Sequence, residues 1–172
     1  MRRRPITPVG AVVRGAAAGA VGTAAMDIML FARYRRDGGE SRFPDWELSA
    51  GLDRWEDVPA PGQVGKRLAE GFLQRVIPPR WARFTNNLVH WGYGVAWGAQ
   101  YGIVAASLAH RRARHGVLFG SLVWASGYVV LPLAELYKPM WEYDAKTLGK
   151  DLSAHVVYGV ATATAFRVLA GR

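Results

Sequence analysis

The chain has 172 residues and no cysteine. Disulfides and thiolate metal sites are therefore excluded. Other chemical signatures are missing too. There is no HExxH, ExxH or CxxCH, no nucleophile elbow and no nucleotide fingerprint. Gly15-x-x-x-Gly19 has no preceding strand and no Lys-Ser/Thr after it, so it is not a phosphate loop. Zinc-finger spacing and a basic stripe with interleaved aromatics are also absent. Nucleic acid is thereby set aside as a partner, despite a formal net charge of +9.

What the chain does contain is segregated. The mean hydropathy of +0.02 hides four apolar segments, at about 11–32, 86–109, 116–136 and 152–170. Each is close to the roughly 20 residues that cross a hydrocarbon core of about 30 Å. Basic groups flank them (Arg2, Arg3, Arg4; RYRR at 33–36; HRRARH at 110–115), and Trp and Tyr cluster near their ends, as in membrane spans. Arg14 and Arg167 lie near segment ends, where they can snorkel to headgroups. The expected fold is all-α: one integral membrane domain over 1–172, a four-span helical bundle. The competing reading is a soluble helical bundle with very apolar cores. A cleaved signal peptide at the N-terminus fits less well, because Arg14 interrupts its apolar region.

The connection 33–85 holds 8 of the 13 acids and 10 of the 22 bases. Within it, GQVGKRLAEGFLQRVI (62–77) sets Val64, Leu68, Phe72 and Val76 four apart, which predicts an amphipathic helix lying in the membrane interface. FPDWELSAGLDRW (43–55) predicts a second short helix. Segments two and three are joined by HRRARH alone, so they are expected as antiparallel neighbours. That short turn is half arginine and lacks acid, which favours cytoplasmic termini. His110 and His115 beside it are expected to be solvated. The run Tyr137–Asp144 after segment three reads as interface anchors, with a lid over a polar site as the alternative.

Ionisable residues inside spans are costly and so mark candidate sites. Asp27, His90, Glu135 and His155 all fall in the leaflet of the long connection, within roughly 0–8 Å of one boundary. Residues four apart share a helix face. Gly15, Gly19, Thr23 and Asp27 form one such ridge. Asn86, His90, Gly94, Gly98 and Gly102 form another, and Asp151, His155, Gly159 and Ala163 a third. Small residues at this spacing let membrane helices approach closely. The ridges are therefore expected to face other helices and to carry Asp27, His90 and His155 inward together. Glu135 follows Pro132, which is expected to kink the third span.

Three uses fit a cluster of Asp27, Asn86, His90, Glu135, Asp151 and His155. It can hydrogen-bond across helices and fix packing. It can relay protons or handle ions. Or His90, His155 and Asp27 can hold a metal, or the two histidines a haem. The first needs no cofactor and makes the chain a structural or accessory protein; the others make it a small transporter or membrane enzyme. The expected partners are the lipid bilayer and, through the glycine ridges, a second copy or another membrane protein.

In its plan the chain resembles the YagU-type family of uncharacterised bacterial inner-membrane proteins. The resemblance runs through the basic N-terminus, the Gly/Ala-rich first span, NNLVHWGYG in the second, LPLAELYKP closing the third and DLSAHVVYG opening the last. It implies a multi-span protein of the bacterial inner (plasma) membrane and supplies no catalytic residues.

Overall fold

The computed structural model describes residues 6–108 and 113–171. Arg2, Arg3, Arg4, His110, Arg111, Arg112 and Arg172, which enter the charge pattern above, lie outside the described residues. Among the described residues all regular structure is helical: α1 (Pro8–Arg36), α2 (Phe43–Glu47), α3 (Ala60–Leu73), α4 (Ala82–Ser107), α5 (His115–Leu133) and α6 (Ala145–Leu169), with single 3-10 turns between some of them.

Local chemistry sets the long helices. Thr7 caps α1 by accepting from Gly10 N at 3.1 Å, Pro8 follows it, and Arg33, Arg35 and Arg36 complement the C-terminal dipole. Asp144 caps α6 and accepts from Thr147 N at 2.9 Å. The hydrogen bonds from Thr147 hold its carboxyl below the usual carboxylate range. Helices α1, α5 and α6 are long and apolar enough to cross a membrane. α4 has 26 residues but is not among them; Asn86, Asn87, His90 and Gln100 interrupt its apolar surface.

The four long helices form an up-down-up-down bundle in the ring order α4–α1–α6–α5. Three of its seams are backbone-close. In the α1/α4 seam, a methyl added at Gly19 would lie 2.5 Å from the Gly94 carbonyl oxygen, and one at Gly98 would lie 2.5 Å from that of Gly15. Gly102 meets Ala11 and Gly15 in the same way. In the α5/α6 seam Gly116 and Gly120 face Gly159 and the His155 backbone, and Gly22 of α1 rests on Tyr158 and Thr162 of α6. The ridges of Gly15, Gly19, Gly94, Gly98, Gly102 and Gly159 are thus filled by neighbouring helices of the same chain.

Helices α4 and α5 are antiparallel neighbours, as expected, but do not meet backbone to backbone. Large side chains separate them: Trp97 and Tyr101 stack on Phe119 (centroids 6.2 and 4.7 Å apart), and the Tyr93 hydroxyl lies 3.2 Å from Ser126 Oγ. Two other expectations need correction. Pro132 does not kink α5 at mid-span; it sits one residue from the helix end and helps stop it. The amphipathic helix ends at Leu73, where Gln74 turns left-handed (φ 50°), so Val76 is not on its apolar face.

The remainder of the connection is a folded cap. Trp55, Val58 and Ala82 form a small core with Leu52 and Ile77, and Trp55 Nε1 donates to the Ile77 carbonyl at 2.8 Å. α3 packs on α4 through Gly62 and Gly65, while Leu68 and Phe72 remain exposed, Phe72 at 87%.

Backbone atoms at the α1/α4 seam cannot move aside as a side chain can. Gly98→Leu should therefore cost more than about 3 kcal/mol, beyond the usual range for overpacking. Gly92 on the outer face of α4 has open space around it, and Gly92→Leu should change stability by less than about 0.5 kcal/mol. Thermal unfolding of both variants in detergent measures the contrast, and equal effects would contradict the seam.

Candidate functional site

The α1/α4 seam ends in a polar contact. One turn past Thr23, whose hydroxyl donates to the Gly19 carbonyl at 3.0 Å, α1 presents Asp27. One turn before Gly94, α4 presents His90. His90 Nε2 lies 3.0 Å from both carboxylate oxygens of Asp27. Asp27 is buried, its side chain only 3% exposed, and the imidazole is 26% exposed. A carboxylate facing Nε2 keeps the proton on that nitrogen and leaves Nδ1 as the free lone pair of the neutral ring.

A third group arrives from the cap. α2 is short, started by Pro44 and followed by left-handed Ser49 and Gly51 (φ 52° and 81°), so the chain doubles back over α4. Arg83 and Asn87 donate to the Leu48 carbonyl at 2.7 and 3.0 Å, and Asn86 Nδ2 donates to Ser49 Oγ at 3.1 Å. These bonds fix Glu47 over the pair, where its Oε1 accepts from Trp91 Nε1 at 3.0 Å. Burial, together with the nearby Asp27 carboxylate, pushes the Glu47 carboxyl above its ordinary range.

The remaining candidates do not bond to this pair, although His155 lies near enough to His90 for their charges to interact. His155 is held on its own helix, with Nδ1 3.0 Å from the Asp151 carbonyl oxygen and 3.4 Å from Asp151 Oδ1. Beside it, Tyr128, Tyr137 and Tyr143 pack ring to ring at 5.5–6.2 Å. Burial and Asp151 push the Tyr137 phenol up. The Tyr137–Asp144 run therefore covers Asp151 rather than Asp27. Glu135 is exposed in a left-handed turn (φ 54°) beyond α5 and joins neither group. Asn86 is buried but serves the cap.

The expected convergence of Asp27, His90 and His155 is thus split into two pairs, Asp27–His90 between helices and Asp151–His155 within one. Among the described residues no group of three His, Asp or Glu side chains is placed to hold a metal ion. Sequence reasoning missed Glu47, although it stands in the same short segment, FPDWE, from which a helix was expected. It also missed Gly116 and Gly120, whose spacing of four was a readable signal.

Between this site and the opposite end the core is mainly aromatic and aliphatic. The Tyr158 hydroxyl donates to the Gly94 carbonyl at 2.6 Å, and beyond it lie Ala18, Tyr101, Ala105, Phe119 and Phe166. The polar site therefore opens at one end only. In comparisons with protein-family models, curated proteins and solved structures, the chain matches none.

Glu47 gives the site a pH signature. An acid whose value is raised on folding stabilises the fold at low pH, and that contribution is lost as pH climbs from its ordinary 4.5 through the raised value. The melting temperature of Glu47→Gln relative to the native chain should therefore rise with pH across that window. A difference that stays constant with pH would remove Glu47 from the neighbourhood of Asp27.

Proposed function

We propose that the chain is a four-span integral membrane protein of the bacterial inner membrane, with cytoplasmic termini and a structural or accessory role. In this reading α4 is the fourth span, its polar ridge turned inward. The outward faces support it: Val13, Val21 and Ile28 of α1, Ile103 and Val104 of α4, and Leu118, Leu122 and Val129 of α5 are all exposed, and apolar surface on three helices suits lipid. α3 lies in the interface, with Leu68 and Phe72 toward the acyl chains. The resemblance to the YagU-type family agrees with this location.

The observation that carries the structural role is the Asp27–His90 bond at the end of a glycine seam. Lipid offers no hydrophobic drive for helix association, so close packing and interhelical hydrogen bonds must hold the bundle. A buried carboxylate without its partner is strongly destabilising, by about 3–5 kcal/mol. The pair is thus a lock between α1 and α4. One further reading has its own support. Glu47 and the free Nδ1 of His90 suit proton exchange with the long-connection side, while the aromatic and alanine core beyond Tyr158, without a His, Asp or Glu, argues against transfer across the membrane.

The lock predicts that His90→Ala lowers unfolding stability in detergent by about 3–5 kcal/mol, and that adding Asp27→Asn restores part of it, because the stranded charge is gone. If the double variant is no better than the single one, the pair is not a lock. Topology has a clean test because the chain has no cysteine. In intact cells a membrane-impermeant maleimide should label Asp53→Cys and spare Arg114→Cys. Labelling of both would rule out the four-span arrangement, and the reverse pattern would invert it.

A further inference from the structure

Charge is divided unevenly along the sequence, and the inference drawn from it rests on the membrane reading above. Residues 1–26, 84–134 and 152–172 contain no Asp or Glu. Their bases are Arg2, Arg3, Arg4, Arg14, Arg111, Arg112, Arg114, Arg167 and Arg172, nine arginines and no lysine. All 13 acids, and an equal number of the 22 bases, lie in the rest of the sequence. The long-connection half is therefore neutral overall, and the formal net charge of +9 belongs to the other half.

The antiparallel seams bring the start of α1, the start of α5 and the end of α6 to one end. Arg14 points Nε at the Leu169 carbonyl (3.0 Å) and Nη1 at the Gly10 carbonyl (3.1 Å), so its guanidinium stays at the helix termini. Two further nitrogens at this end have no acceptor. Arg167 Nε on α6 and His115 Nδ1 on α5 are buried and unpartnered. His115, expected to be solvated, is only partly exposed. A buried guanidinium N–H without a partner is costly, and this half of the sequence contains no Asp or Glu side chain to serve it. Arginine's planar fork matches phosphate oxygens, and an all-arginine set suits phosphate better than lysines would. At the surface of an anionic leaflet, phosphate is the acceptor in reach.

We propose that this end of the bundle binds the phosphate of anionic lipid headgroups, with the unpartnered Arg167 Nε–H as one donor, the Nδ1–H tautomer of His115 as a second, and Arg14 and Arg114 at the same end. The test uses the full chain in neutral detergent. Its thermal unfolding is followed with phosphatidylglycerol, with phosphatidylcholine or with inorganic phosphate. Phosphatidylglycerol should raise the melting temperature by several degrees and phosphatidylcholine should not. Arg167→Gln should lose at least half of that shift; Arg114→Gln, at an exposed position where folding is not at risk, should lose a measurable part. Lys150→Gln at the neutral end should retain it, and molar salt should abolish it. Equal shifts from the two lipids would overturn the proposal. A shift produced by inorganic phosphate alone would overturn it in favour of free phosphate. Alkaline carbonate extraction separates the two levels. A chain released from membranes by carbonate fails the membrane reading and this proposal together, whereas one that stays but shows no lipid preference fails this proposal alone.

Discussion

The contact between the α1 and α4 backbones is the constraint on which the rest depends. Gly15 and Gly19 lie against Gly94, Gly98 and Gly102 with no room for a methyl group between them. That separation decides how far a side chain from one helix reaches the other. At the next turn along the seam, the distance left is that of one hydrogen bond between a short aspartate and a histidine, and Asp27 and His90 occupy it at 3.0 Å. With larger residues in the seam, α1 and α4 would move apart and the carboxylate would be left buried without a partner. The same closeness lets Gly22 rest on α6, so α1 becomes the central helix to which both α4 and α6 attach.

Polar groups are then arranged by depth. Removing a carboxylate from water is expensive, and it is tolerated only with a well-placed partner. Asp27 has its imidazole. Glu47, half-buried beside a second carboxylate, has one indole N–H and the option of holding its own proton. The cap that delivers Glu47 is fastened by side chains of α4 (Arg83, Asn86 and Asn87) that grip the backbone and hydroxyl of a tight turn. Helix α4 thus does two jobs with adjacent turns: its first turns hold the cap, and the following ones hold α1.

Much of this was legible in the sequence because it is periodic. A spacing of four identifies the ridges, and counting residues from the span ends puts Asp27 and His90 at one depth. The partners that were not legible are those that periodicity does not encode. Glu47 reaches Asp27 only because a left-handed turn at Ser49 and Gly51 folds the connection back, and the bonds that hold it there end largely on backbone. His155 was expected to reach across the bundle, yet a carboxylate four residues earlier on the same helix satisfies it first. That local option was visible as Asp151-x-x-x-His155. The short turn between segments two and three suggested adjacency, but Trp97, Tyr101 and Phe119 are too large to let α4 and α5 approach as the glycine-lined helices do. The four long helices were legible from length; three of them are apolar enough to cross a membrane, and α4's lower hydropathy reflects the polar residues that its inner ridge and cap contacts require.

The two ends of the bundle differ in kind, and the middle insulates them. One end carries the folded cap, both histidine–carboxylate pairs and carboxylates of its own. The other carries, among the described residues, Arg14, Arg114, His115 and Arg167 without a carboxylate side chain. Between them, Tyr158 closes on the Gly94 carbonyl above an aromatic and alanine core. Among the described residues that core contains no His, Asp, Glu, Lys or Arg side chain, and its polar groups are the hydroxyls of Tyr101 and Tyr158. Chemistry at Asp27 and His90 is therefore answerable to one face of the protein. The opposite face communicates with it only through the rigid seams, because a glycine-lined contact transmits displacement but carries no charge.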